Sequence, residues 1–234
     1  MSNRYGYIQA RIQARYGELP DESVWLHLGA LKELASFIEE ARSTPLAHWV
    51  TGLSSISDAT EMEQYLRRHL NETIEEVAGW FDPQWRPAIL WLETLSELPT
   101  LDHLYRNNID AEGKVSEQLF MGITDQDLEE QNLQQAWIAA WRSLWPGESS
   151  QNLKGMTSLR QTLEHHYQQF AGLSIQQAWL SRQELELKLR LFFRLHVLQP
   201  AMAFAYLSLV ALGLERLRAE LLQRALFPEQ GAAA

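Results

Sequence analysis

The sequence predicts an all-α fold, a multi-helix bundle of two helical lobes, and three observations carry that reading. Apolar residues recur at helical spacing along nearly the whole chain, and no alternating run is long enough for a strand. Helix start and stop signals punctuate the periodic stretches. Near the C-terminal end, residues 197–214 run for eighteen positions without a charge. A membrane span takes about 20 predominantly apolar residues. This stretch is shorter and holds Gln199, Pro200, Tyr206 and Ser208, so it reads as a buried helix on which others pack.

In chain order, Tyr5, Ile8, Ile12 and Tyr16 form a stripe with Arg11 and Arg15 offset from it, and Gly17 and Pro20 end that helix. Residues 21–32 predict a short helix with Val24, Trp25, Leu28 and Leu31 inward. Leu34, Phe37 and Ile38 carry the apolar face on to Ala41. Thr44-Pro45 pairs an N-cap with a first-turn proline. Asp58 with Glu61 is a capping box that opens an amphipathic helix, with Met62, Tyr65, Leu66, Leu70, Ile74, Val77 and Phe81 on one face. Asp82-Pro83 breaks it. Helices over 84–98 and 99–106 follow, and the polar residues 107–113 mark a boundary. Thr124 with Asp127 caps a helix carrying Leu133, Trp137, Trp141 and Trp145, stopped by Pro146-Gly147. Residues 148–155 read as a polar loop and 159–170 as a helix. Ser174 with Gln177 is a second capping box. Pro200 removes a helical hydrogen bond and crowds the preceding turn, which predicts either two helices, 174–199 and 200–227, or one sharp kink. The division expected is 1–107 and 108–173 as lobes, with 174–227 packing on both in a single compact unit.

Composition narrows the function. The 234 residues suffice for a sizeable core, and 46% are hydrophobic, an ordinary globular share. The absence of cysteine excludes disulfides, thiolate zinc sites and a cysteine nucleophile. The N-terminal stretch lacks a signal-peptide apolar core, so a cytoplasmic location is expected. Net charge is −10. Residues 182–224 nevertheless carry a balance of +3, and seven acids crowd 110–130 against Lys114 alone. That distribution argues against nucleic acid and against direct contact with anionic lipid.

Motifs for chemistry are missing. No glycine-rich phosphate loop occurs. His165 and His166 are adjacent, so they point about 100° apart on a helix and read as surface histidines. His69 and Glu72 read as a solvated pair. Asp125, Asp127, Glu129 and Glu130 lack the glycine and ligand spacing of a calcium loop. No catalytic residue, metal or cofactor is expected. The tryptophans at 137, 141 and 145, and those at 80, 85 and 91, read first as core and second as an interface.

Two stretches resemble a known family. The run Tyr5-Gly6-Tyr7-Ile8-Gln9-Ala10-Arg11-Ile12-Gln13-Ala14 is similar to the opening helix of the C/d family of central-stalk proteins in archaeal and vacuolar-type rotary ATPases. Pro200, Ala205-Tyr206-Leu207 and Leu217-Arg218 resemble its closing helix, with Gly213 and Arg216 where that helix usually has Glu and Asn. Residues 58–81 are similar to its first long amphipathic helix. The resemblance implies a non-catalytic central-stalk adaptor that couples the rotor shaft to the membrane rotor ring, attached to the membrane only through that complex. It implies that the terminal helices pack together, with Tyr5, Tyr7, Arg11, Arg15, Tyr206, Arg216 and Arg218 as interface residues. Two other readings stay open: a cytosolic helical scaffold or regulatory protein unrelated to rotary ATPases, and an enzyme with a pocket inside a helical bundle.

Overall fold

The computed structural model describes residues 2–96, 133–147, 150–170 and 173–227. Every regular element among them is a helix: α1 (Ser2–Gly17), α2 (Glu22–Gly29), α3 (Leu34–Ala41), α4 (Ala47–Val50), α5 (Ala59–Trp80), α6 (Arg86–Leu90), a 3-10 turn (Trp91–Ser96), α7 (Leu133–Ser143), α8 (Ser150–Phe170), α9 (Ile175–Leu195) and α10 (Pro200–Leu226). The fold is an all-α multi-helix bundle. It comprises two compact units, one from 1–73 with 150–234 and one from 74–149, and the division falls inside α5. These bounds differ from the expected 1–107, 108–173 and 174–227. Polar breaks in a sequence mark loops, not which helices pack, and here the last three helices return to the first residues.

In the first unit α10 is the axis, packed by α9, α8, α1 and α3. Residues 201–207 are buried in an unbroken run, and Leu214, Leu217 and Leu221 continue the buried side. The helix is long and apolar enough to cross a membrane, yet 67% of its apolar window lies inside the fold. The stripe read on α1 is real: Ile8 and Ile12 are buried, and Tyr16 stacks on Phe193 with centroids 4.1 Å apart. Helix starts follow local chemistry. The Glu61 backbone N–H donates to Asp58 Oδ1 at 2.8 Å, and the Asp58 N–H to Glu61 Oε2 at 3.2 Å. Ser174 and Gln177 close the same reciprocal box on α9. Asp21 caps α2 by accepting from the Val24 N–H at 3.1 Å.

Two boundaries move. Residues 150–155, expected as loop, belong to α8. Gly155 lies within α8 and lets it close on the turn before α10, where a Cβ would lie 2.6 Å from Gln199 Oε1. The chain leaves α9 at Leu195, four residues before the expected end; in the turn that follows, the His196 ring stacks on Phe192 at 3.9 Å and meets Gln199 Oε1 at 2.9 Å. Leu198 in that turn has φ 62°, an uncommon conformation for a bulky residue.

In the second unit the expected helix 84–98 is split into α6 and the 3-10 turn. Trp141 Nε1 donates to Ala88 O at 3.0 Å and Trp137 Nε1 to Thr94 Oγ1 at 2.6 Å, which holds α7 to both. Trp85, Trp137 and Trp141 are buried, so these tryptophans are core. Trp145 lies past the end of α7 and meets Trp141 edge-on at 5.0 Å. The 99–106 helix, the 107–113 boundary, the acidic run and the Thr124–Asp127 cap lie outside the described residues.

Candidate functional site

Two of the expected interface residues, Arg216 and Arg218, are cations of α10, and the first unit shows what they and the neighbouring arginines reach. Arg216 on α10 makes a two-pronged bond to Glu22, Nη1 to Oε2 at 2.7 Å and Nη2 to Oε1 at 2.9 Å. Its guanidinium carbon lies 4.7 Å from the Trp25 ring centroid and 4.9 Å from that of Trp179. A planar cation between two aromatic faces is a strong cation–π arrangement. Its side chain is only 13% exposed, and its Nε is buried without a hydrogen-bond partner. The Arg216 hydrogen bonds hold the Glu22 carboxyl below its ordinary 4.5.

Neighbouring arginines act in the same way. Arg224 donates to Leu31 O at 2.8 Å and to Glu220 Oε2 at 2.6 Å, and it covers the Phe37 ring at 4.3 Å. Arg190 donates to Pro20 O at 3.2 Å and Glu186 Oε1 at 2.8 Å. Arg182 pairs with Glu215, and Arg218 with Glu63. These groups tie α2, α5 and α9 to α10. The cleft they surround has a volume of about 140 Å³ and is lined by Trp179, Arg182, Glu215, Arg216 and Arg218. Small-molecule sites hold roughly 300–1,000 Å³, so this cleft is too small to serve as one.

The expected interface residues therefore separate. Tyr206 is 4% exposed and part of the core, and Arg216 is committed inside the fold; neither faces outward. Sequence marks the charge of Arg216 but not that Glu22, Trp25 and Trp179 converge on it. Gly213 has a packing reason: a Cβ there would sit 2.7 Å from the Trp49 ring. Arg218 is half-exposed beside Glu63. Tyr7 is 57% exposed, Arg11 Nη1 donates to its hydroxyl at 3.0 Å, and exposed Arg15 pairs with Glu18 at 3.3 Å. Tyr5 is half-buried. Tyr7, Arg11 and Arg15 follow one another at i, i+4 and i+8, one outward face.

Sequence reasoning missed a second outward face. On α9, Leu180, Leu187, Leu191 and Leu195 are all more than half exposed, while Leu185, Leu189, Phe192 and Phe193 are buried. The signal was present as two apolar stripes on one helix, of which a core needs one.

The histidines are less solvated than expected. His69 lies 3.9 Å from Glu72 but is 21% exposed, with its ring 5.6 Å from that of His48 and 6.4 Å from that of Tyr65. Burial pushes His69 below its ordinary 6.5, and burial with the nearby His69 charge does the same for His48. His165 is exposed, whereas His166 is half-buried against Ser181 Oγ at 3.2 Å and is lowered by burial and by Arg182. Among the described residues no group of three His, Asp or Glu is placed to hold a metal. Comparison with protein-family models, curated proteins and solved structures finds no match to this chain.

Proposed function

We propose that this chain is a non-catalytic adaptor of an archaeal- or vacuolar-type rotary ATPase, joining the central rotor shaft to the membrane rotor ring for proton or sodium transport. One observation supports the reading above the others. The two stretches that carry the resemblance, 5–14 and 200–218, lie on helices that pack together, and the first leaves Tyr7, Arg11 and Arg15 facing outward. In this reading that α1 face meets another component of the stalk, while Arg218 at the edge of α10 extends the contact.

The test is recovery of the tagged chain from native membranes. Rotary ATPase components should accompany the wild type, and a Tyr7→Ala, Arg11→Ala, Arg15→Ala variant should lose them while keeping its helical circular dichroism. Recovery without any such component overturns the adaptor. The exposed leucines of α9 favour the remaining reading, a helical interaction protein unrelated to rotary ATPases, which that outcome would leave.

A further inference from the structure

We propose that two copies of this chain pair through α9, with the two helices antiparallel. This inference stands apart from the adaptor reading and uses a different face. Leu180, Leu187, Leu191 and Leu195 are 58–68% exposed on the side of α9 away from its buried Leu185 and Leu189. Exposed leucines at such density on one helix mark an interaction site.

The spacing says what kind. Within α9, Leu180, Glu184, Leu187, Leu191 and Arg194 follow at alternating steps of four and three. That is the seam of a two-stranded coiled coil, with one acid and one base set among the leucines. The charges then choose the direction. In a parallel pair Glu184 would meet Glu184 of the second copy, and Arg194 would meet Arg194, and like charges at a seam disfavour that pairing. With an antiparallel partner and a two-fold axis beside residue 189, the central layers match. Glu184 meets Arg194 and Leu187 meets Leu191, and each match occurs twice. A patch that complements itself in this way is the mark of a closed two-fold dimer. Glu184 holds its own Lys188 at 3.4 Å at the edge of the seam and is 65% exposed, so its carboxylate is accessible to a second cation.

The experiment is sedimentation of the full chain over a concentration series, with circular dichroism as a folding control. The wild type should show a dimer whose share rises with concentration. Leu187→Glu, at an exposed position, should stay folded and sediment as monomer. Glu184→Arg and Arg194→Glu should each weaken the dimer by at least about tenfold, and the two together should restore it. A wild type that stays monomeric at every concentration overturns the proposal, whether or not its stripe then binds lipid vesicles or another protein. So does a dimer indifferent to Leu187→Glu, or a double reversal as weak as the single ones.

Discussion

α9 and α10 lie side by side in one unit, joined by residues 196–199, and they are buried in different ways. The first half of α10 has no polar side to offer water, and its residues 201–207 are enclosed all round. α9 carries six leucines, of which Leu185 and Leu189 are inside and the other four outside. Two neighbouring helices thus play different parts. What separates them is where the charges fall: α9 interleaves Glu184, Lys188 and Arg194 with its outer leucines, and α10 gathers its charges into its second half. Apolar content makes a helix sticky, and charge placement decides whether it is sealed or left open.

The sharpest way to break that contrast is to truncate leucines on both helices and compare unfolding in denaturant. Leu217→Ala and Leu207→Ala on α10 should each cost about 2–5 kcal/mol, since both are fully enclosed. Leu191→Ala on α9 should stay within about 0.5 kcal/mol of wild type in a monomeric variant. Equal losses at the two sites would mean that α9 is sealed too. A smaller effect is expected at Gly213→Ala, whose Cβ would press on Trp49; overpacking of this kind costs about 1–3 kcal/mol. Arg216→Ala should remove about 2 kcal/mol by leaving Trp25 and Trp179 unbridged, and Arg216→Lys should recover little of it because the ammonium is not planar. A neutral Arg216→Ala would show the clamp to be incidental.

Acidification gives a gentler test. His69 and His166 titrate below their ordinary 6.5 in the fold, so near and below that value the unfolded chain binds protons first. Stability is therefore full above about pH 6.5 and falls as pH drops through the lower folded values. Denaturant midpoints should decline over that range, and His69→Gln with His166→Gln should flatten the decline. A midpoint independent of pH there would remove both groups from the account. Least of all, Arg11→Ala and Arg15→Ala should leave unfolding within about 0.5 kcal/mol of wild type, because both side chains are exposed on α1.

Local chemistry was the legible part of this fold. The Asp58–Glu61 and Ser174–Gln177 boxes, the proline that opens α10 and the Ile8–Ile12 stripe each rest on residues a few positions apart. Periodicity and capping report on such distances. The Arg216 clamp was not legible, because Glu22 and Arg216 stand 194 positions apart and no spacing rule joins them. Residues 150–155, read as loop, misled for a related reason. Their polarity reads as a loop when only neighbours are considered, and here the role of Gly155 is set by Gln199 and Ala201 across the turn. The outer stripe of α9 needed one more question, namely whether both of its apolar faces had something to cover them.

The first unit is assembled from the two ends of the chain, and that carries a consequence for the order of events during synthesis. α1 leaves the ribosome well before α10, with roughly 190 residues between Ile8 and its surroundings on α10. At about 5–20 residues per second, the stripe of α1 waits on the order of 10–40 s for the helix that covers it. The 74–149 unit draws on one continuous stretch and faces no such delay. Through that interval the newborn α1 is an amphipathic helix with its core side open to solvent, the state in which a nascent chain most needs a chaperone.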